Sequence, residues 1–122
     1  MGTTRKTILF ILQRAPHGSS AARETLDAAL AAAAFEQDVQ LLFSGDGVWL
    51  LQPDQQADAI ASKDTAKMLQ ALAYYDIKAV FADTVSLAER GLDATNLALA
   101  VTAIEPAAQQ RLLRAADCVV AL

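Results

Sequence analysis

The sequence contains a single cysteine among its 122 residues, so it cannot form an internal disulfide. That agrees with a reducing compartment. The one thiol, Cys118, follows Asp117 and begins the apolar run Cys-Val-Val-Ala-Leu, which is typical of a strand. A reactive thiol needs solvent exposure and an electropositive neighbour. We therefore predict that Cys118 is a small, buried and unreactive hydrophobe.

Long apolar runs and basic clusters are also missing. No apolar stretch reaches the roughly 18 residues that a membrane-spanning helix needs, and the apolar run after the polar residues 1–6 is too short for a signal peptide. The formal net charge is -4, and no Lys/Arg cluster exceeds Arg5-Lys6, which argues against direct nucleic-acid binding. We expect a cytoplasmic protein with one domain over residues 1–122 and no membrane contact.

Cofactor and metal motifs are absent as well. The first predicted strand is followed by Pro-His-Gly-Ser-Ser at residues 16–20, which is neither the glycine pattern of a dinucleotide fold nor a P-loop. Gln13 and Arg14 stand where a response regulator would need carboxylates for magnesium. The sequence therefore predicts no cofactor, no metal and no catalytic residue of its own.

What the sequence does contain is an alternation of strand and helix signals. Residues 7–12 are apolar or β-branched throughout, as in a strand buried on both faces of a parallel sheet. The other predicted strands are 39–43, 78–82, a weaker one at 97–101, and 118–122. Helical spacing predicts long helices at about 21–35, 61–76 and 106–116. This alternation indicates an α/β fold, with three α/β/α layers around a five-stranded, mainly parallel sheet.

Local motifs predict how several turns are made. Two glycines flank Asp46 after the second predicted strand, and we attribute both to positive φ angles in a tight turn. Ser86 and Glu89 have the spacing of a capping box, in which the two side chains accept hydrogen bonds from free backbone amides at a helix start. Gly91 is predicted to end that short helix.

Two polar residues lie in loops where a ligand would bind, because ligands of open α/β sheets bind beyond the carboxyl ends of the strands. His17 would act as a general base or as a hydrogen-bond donor that orders its loop, and the lack of a Ser or Cys partner favours the second role. Asp46 would bind a metal or cap the following helix, and capping is favoured because no second ligand is spaced beside it. A small-molecule-binding or hydrolytic domain using His17 and Asp46 stays open as an alternative.

Five short motifs, spread in order over nearly the whole chain, resemble one family. They are Ala15-Pro16-His17-Gly18, Arg23-Glu24-x-Leu26-Asp27-Ala28, Asp46-Gly47-Val48, Tyr75-Asp76-Ile77 and Ser86-Leu87-x-Glu89-Arg90-Gly91-Leu92-Asp93. Together they are similar to the TusC-type (DsrF-like) branch of the DsrE/F/H sulfur-relay family. The resemblance implies a TusBCD-type heterohexamer, with TusB-like and TusD-like siblings, that passes persulfide sulfur toward 2-thiouridine at the tRNA wobble position. Similar complexes serve sulfur oxidation in sulfur-oxidising bacteria, and that role stays open.

The resemblance also implies that this chain lacks the reacting group. In the family, the sulfur-accepting cysteine belongs chiefly to the TusD or DsrE-type sibling, just after its third strand. Here the matching position holds Asp83, and a carboxylate cannot form a persulfide. The chain would then be a non-catalytic structural subunit with an indirect link to tRNA.

Composition indicates where such a subunit would contact its partners. Hydrophobic residues make up 54% of the chain, more than one small core readily hides, so part of the apolar surface is expected in an interface. The main candidates are Trp49, Leu50 and Leu51, because a large aromatic beside two leucines is typical of an interface anchor. His17, in the first loop, is a further candidate.

Overall fold

The computed structural model describes residues 5–14, 20–52 and 60–121. The strands are β1 (Thr7–Leu12), β2 (Asp38–Phe43), β3 (Ala79–Asp83), β4 (Thr102–Ile104) and β5 (Cys118–Ala121). The α-helices are α1 (Ala21–Ala34), α2 (Ile60–Tyr74), α3 (Thr84–Glu89) and α4 (Pro106–Ala115), and a 3-10 segment covers Gly45–Leu51. No helix in the described ranges has the length and apolar character needed to cross a membrane.

The five strands form one parallel sheet in the order β4-β3-β2-β1-β5. Phe10 of β1 lies beside Leu41 of β2, which in turn lies beside Val80 of β3. The unbroken apolar run of β1 follows from its place between β2 and β5, because an interior parallel strand packs on both faces. The predicted α/β fold with a five-stranded parallel sheet is confirmed.

Helices cover the two faces of the sheet unequally. From β1 to β4 each new strand is added on the same side of the previous one, so right-handed crossovers place α1, α2 and α3 on one face of the sheet. The connection from β4 back to β5 runs in the opposite direction, so α4 lies on the other face. The main core lies under α1 and α2, where Leu26 and Leu72 join Phe43. Leu9 and Leu42 are buried outside this cluster, because alternate strand residues point to the α4 face. No residue of α4 is fully buried, so that face is only partly covered.

The C-terminal ends of α1 and α2 are built alike. Each helix is followed by an acidic residue in the left-handed region that favours glycine, Glu36 with φ 64° and Asp76 with φ 60°. The next residue, Gln37 or Ile77, donates its backbone N–H back into the last turn of the helix. These are Schellman motifs. A left-handed conformation costs a residue with a Cβ about 1–2 kcal/mol, so glycine would serve folding better at both positions.

The capping-box prediction is wrong. Asp83 is the N-cap of α3, and its carboxylate accepts a hydrogen bond from the backbone N–H of Ser86 at 3.1 Å. Ser86 therefore lies inside the helix, because an aspartate three residues earlier already provides a strong cap. Gly91 has φ 67°, and its N–H donates to the carbonyl of Ala88 at 3.2 Å, which confirms its predicted place at the helix end.

The fourth strand begins later than predicted. It covers Thr102–Ile104, whereas residues 97–101 are in no strand. The backbone N–H of Ala98 donates to the carbonyl of Leu51 at 2.8 Å, and apolar side chains of this stretch pack against the edge of the core. The alternating apolar residues therefore reflect an irregular segment anchored to the 3-10 segment, and not a strand of the sheet.

The two glycines beside Asp46 have different roles. Gly45 has φ 54°, as predicted for a tight turn. Gly47 is not among the residues with positive φ, but a Cβ on it would overlap the backbone carbonyl of Leu12 at the end of β1. The predicted positive φ is therefore wrong for Gly47, which instead permits close contact between the 3-10 segment and β1.

Candidate functional site

The carboxyl ends of the strands, here called the carboxyl edge, bring together a network around Asp83. This residue ends β3 and caps α3. Its Oδ2 accepts hydrogen bonds from the backbone N–H of Ser86 at 3.1 Å and from the Ser86 hydroxyl at 2.5 Å. Gln109 of α4 donates to Oδ1 at 2.6 Å. The carboxylate therefore joins β3, α3 and α4.

Ser86 connects this network to the loop after β2. Its Oγ accepts a hydrogen bond from the backbone N–H of Gly45 at 2.9 Å while its own hydrogen goes to Asp83. Ser86 is buried, and a buried hydroxyl is expected to be hydrogen-bonded. Its hydroxyl donates to Asp83 and accepts from Gly45, so Ser86 links α3 to the loop after β2.

Asp46 is bound by an arginine at the same edge. Its Oδ1 lies 2.9 Å from Nη2 and 3.2 Å from Nε of Arg90, which also donates to the carbonyl of Ser86 at 3.2 Å. The N-cap of the 3-10 segment is Ser44, so the predicted capping role of Asp46 is wrong. A charge-assisted pair with a guanidinium fork is a strong alternative to a backbone cap. In the described ranges, no cluster of three or more His, Cys, Asp or Glu is placed to hold a metal.

Hydrogen bonding decides the protonation of Asp83. Burial raises the pKa of this carboxyl, but hydrogen bonds from the Ser86 side chain, from Gln109, and from the backbone of Ser86 and Val85 outweigh burial and lower the pKa below its ordinary value. Asp83 is therefore ionised at neutral pH. An ionised carboxylate only accepts hydrogen bonds, and here those bonds hold neighbouring elements in place.

We expect Asp83→Asn to destabilise the chain at neutral pH and to have less effect in acid. Because the pKa of Asp83 is lowered in the folded state, its ionised form stabilises the fold above the ordinary aspartate pKa of about 3.9. That stabilisation is lost as the pH falls through the folded-state pKa. Free energies of unfolding of variant and wild type, measured by denaturant titration at pH 7 and pH 3, should converge in acid.

The matched control for Asp83→Asn is Asp93→Asn. Hydrogen bonds from the backbone and side chain of Thr95 lower the pKa of Asp93, but this residue lies in an exposed loop outside the network. Because its pKa is lowered too, Asp93→Asn should also converge with the wild type in acid, but its deficit at pH 7 should be smaller than that of Asp83→Asn, since its hydrogen bonds join no distant elements. A deficit of Asp83→Asn that is as large at pH 3 as at pH 7 would show that the carboxylate charge does not stabilise the network.

The four predicted interface residues have different outcomes. Leu50 and Leu51 are 3% and 0% exposed and belong to the core of this chain, so the interface prediction is wrong for both. The close contact of the 3-10 segment with β1 at Gly47 is what brings them inward. Trp49 is half-buried in the same segment and stays a prediction. His17 lies outside the described residues, so its role also stays a prediction.

Cys118 lies at the amino ends of the strands, whereas Asp83 lies at their carboxyl ends. Cys118 begins β5 and pairs with Ile8 near the start of β1, whereas Asp83 ends β3. Strands β1 and β2 also separate β5 from β3. The thiol is exposed, so the prediction of a buried cysteine is wrong. The apolar run identified a strand, but this strand is at the edge of the sheet and leaves its side chains more accessible.

The exposure of Cys118 changes the expected effect of removing its sulfur. We expect Cys118→Ser to change the free energy of unfolding by less than about 0.5 kcal/mol, as is usual for surface positions. The serine hydroxyl would be solvated, so no buried polar group is left without a partner. Denaturant titration of both proteins under reducing conditions measures this difference. A loss above about 1 kcal/mol, which is the scale of an unsatisfied buried hydroxyl, would mean that the position is buried.

Sequence inspection missed the links that build the network. Gln109 is 26 residues from Asp83 in the chain, and no local sequence pattern predicts that contact. The spacing Asp83-x-x-Ser86 is a usable signal, because an N-cap aspartate accepts from the backbone of the third helical residue. Within the described residues the network contains no thiol. Its observable role is to hold the loop after β2, α3 and α4 around one carboxylate.

Comparison with known proteins gives consistent matches. The sequence profile of the DsrE/DsrF-like family matches residues 6–122. The Protein TusC homolog of Vibrio parahaemolyticus is 43% identical over 97 residues, which is 80% of this chain and 82% of that protein. The crystal structure of the ychN protein from E. coli has a TM-score of 0.81 at 21% identity, over 96% of this chain and 99% of that chain. A conserved protein of unknown function from Bacteroides thetaiotaomicron has a TM-score of 0.72 at 12% identity, over 96% and 95% of the two chains.

The two solved structures are distant in sequence and show the shared fold alone. The profile match extends over nearly the whole chain, and the Vibrio relative matches most of it at much higher identity. These findings agree with the five motifs from which the resemblance was inferred. The chain belongs to the DsrE/DsrF-like family.

Proposed function

We propose that the chain is a non-catalytic structural subunit of a TusBCD-type sulfur-relay complex that passes persulfide sulfur toward 2-thiouridine at the tRNA wobble position. The observation that carries this proposal is Asp83, at the end of β3. A TusD-like sibling would hold its sulfur-accepting cysteine at about that position. The similarity to a protein named as a TusC homolog supports the same role.

The residue at the end of β3 decides whether the chain itself carries sulfur. A relay cysteine attacks the outer sulfur of a donor persulfide as a thiolate; its new sulfur-sulfur bond forms as the donor's breaks, and the donor cysteine leaves as a thiolate. Asp83 offers no sulfur for this exchange, and its carboxylate is already bound by Ser86 and Gln109. Cys118 does not replace the missing thiol, because it begins β5 at the opposite edge of the sheet.

The carboxyl edge is also where we place contact with a sibling. Val85, in the first turn of α3, is 47% exposed, although it is apolar. The 3-10 segment, which carries the half-buried Trp49, contacts α3. A sibling covering both residues would bring its own thiol beside loops that the Asp83 network already holds in position. The expected partners are TusB-like and TusD-like subunits in a cytoplasmic heterohexamer.

The test is native mass spectrometry of the complex purified from the source cell. We expect this chain together with two small sibling proteins in equal copy number. After incubation with a donor carrying labelled persulfide sulfur, the label should be found on a sibling cysteine and not on this chain. A complex with Cys118→Ser should transfer sulfur within about twofold of the wild-type rate, which corresponds to less than about 0.5 kcal/mol. A stable persulfide on Cys118 that tRNA thiolation requires would contradict the proposal.

Gene deletion tests which pathway the complex serves. We expect the 2-thiouridine content of digested tRNA, measured by liquid chromatography and mass spectrometry, to fall to background and to recover when the wild-type chain is supplied again. The matched control supplies Cys118→Ser, which should restore 2-thiouridine equally well. Unchanged 2-thiouridine in the deletion strain would contradict the tRNA assignment and leave the DsrF-type role in sulfur oxidation.

A further inference from the structure

A concave surface lies at the amino ends of the strands, opposite to the carboxyl edge that holds the Asp83 network. This amino-edge cleft has a volume of about 800 Å³ and lies between the C-terminal turns of α1 and α2, at the starts of β2 and β3. Its apolar lining residues are Ala33, Val39, Ile77 and Ala79. Clefts of about 300–1,000 Å³ are typical of sites that enclose a small ligand.

Aromatic side chains surround the amino-edge cleft. Phe35 and Tyr75 line it and are 78% and 44% exposed, and Tyr74, the neighbour of Tyr75 in the chain, is 92% exposed. The other large hydrophobic residues exposed in the described part of the chain are the aliphatic Val85 and Val119. Concentrated exposure of large apolar side chains is typical of an interaction site.

The charge around the cleft favours a cation. The acidic lining residues Glu36, Asp38 and Asp76 outnumber the basic ones, Arg5 and Lys78. Asp76 pairs with Lys78 at 3.3 Å, and both side chains remain largely in solvent. The C-terminal ends of α1 and α2 add the partial negative charges of two helix dipoles. The cleft therefore combines polar and apolar lining residues, and its acidic side chains exceed its basic ones by one.

Two of the acidic residues stand where folding alone would not place them. Glu36 and Asp76 take left-handed conformations that favour glycine. Both follow helix C-termini, where an acidic side chain interacts unfavourably with the helix dipole. In the described ranges no hydrogen bond or ion pair engages the Glu36 carboxylate. Residues whose backbone conformation and charge are both unfavourable for folding are expected at functional positions.

We propose that the amino-edge cleft docks an arginine-bearing segment of a partner protein. The guanidinium would stack on Phe35 or Tyr75 and pair with Glu36, while its aliphatic stem covers the apolar lining. Arginine fits better than lysine, because its planar and weakly hydrated head combines ring stacking with carboxylate pairing. The cleft is remote from Asp83, so this inference is independent of the proposed sulfur-relay function.

The experiment titrates the full-length chain with the peptide acetyl-Ala-Arg-Ala-Arg-Ala-amide and follows backbone amide signals by nuclear magnetic resonance. Shifts are expected at residues 33–39 and 74–79, and they should weaken as salt is added, because exposed ion pairs are screened. Lysine and glutamate versions of the peptide are the ligand controls. The lysine peptide should bind at least threefold more weakly, and the glutamate peptide should not bind.

Two variants test the residues of the cleft. Glu36→Gln, which keeps the shape of the side chain, and Tyr75→Ala should each weaken binding of the arginine peptide at least fivefold. The matched control is Glu105→Gln, an exposed carboxylate at the opposite edge, which should leave binding unchanged. Equal affinity for all three peptides, shifts centred on the carboxyl edge, or the same loss in Glu105→Gln would each overturn the proposal.

Discussion

Gly47→Ala is expected to destabilise the chain by about 3 kcal/mol or more, at the upper end of what overpacking costs. The new methyl group would overlap the carbonyl group of Leu12, the last residue of β1. That carbonyl has little freedom to move, because it accepts a hydrogen bond from the backbone N–H of Ser44 at 3.0 Å. The overlap can therefore be removed only if the 3-10 segment separates from the sheet, which would expose part of the core.

Two other glycines separate this steric effect from backbone strain. Gly91 has φ 67° with no atom within 4 Å of an added Cβ, and Gly45 has φ 54° with its nearest atom, the Gln13 carbonyl oxygen, at 3.6 Å. Alanine at either position should cost only the left-handed penalty of about 1–2 kcal/mol. Denaturant titration of the three variants should place Gly47→Ala well beyond both controls. Equal losses in all three would exclude the close contact at Gly47.

Leu50→Asp is expected to unfold the chain. Leu50 is 3% exposed in the core cluster, so the new carboxylate would be buried without a partner or would force the 3-10 segment outward. An unpaired buried charge costs at least about 3 kcal/mol, and the lost leucine packing adds to that. Loss of helical circular dichroism, together with an early aggregate or void peak in size-exclusion chromatography, is the expected observation.

Trp49→Ala is the matched comparison for Leu50→Asp, because the two residues are neighbours in the chain. Trp49 is only half-buried, so the variant should keep its circular dichroism spectrum. If Trp49 contacts a sibling, the variant should weaken the complex about tenfold or more, since aromatic anchors contribute strongly to interfaces. A folded Leu50→Asp chain that merely leaves its complex would reverse our placement of Leu50 in the core.

The elements were predictable because their signals are local. The apolar run of β1, the helical spacing of Leu26 and Leu30, and Pro106 at the first turn of α4 each depend on residues a few positions apart. The exception is the fourth strand. Its predicted residues 97–101 have the right composition, but the backbone of Ala98 is hydrogen-bonded to Leu51, a partner that no local pattern identifies.

The candidate site was only partly predictable for the same reason. The resemblance implied that Asp83 stands at about the position of a sibling's thiol, and the sequence alone shows that the residue there is an aspartate, which cannot carry sulfur. The donors that hold it are Ser86, three residues away, and Gln109, on a different helix. A hydrogen bond between distant residues depends on where crossovers place α4, and so the network required the folded chain.

The sequence by itself determined the order of strands and helices, the parallel α/β class and the absence of a thiol after β3. Those properties follow from the period of apolar residues and from the identity of single residues. Only the tertiary structure decided that Leu50 and Leu51 are core, that Cys118 is exposed, and that Gly47 meets β1. An apolar residue gives the same local sequence pattern in a core and on an edge strand. Its burial depends on which distant elements pack against it.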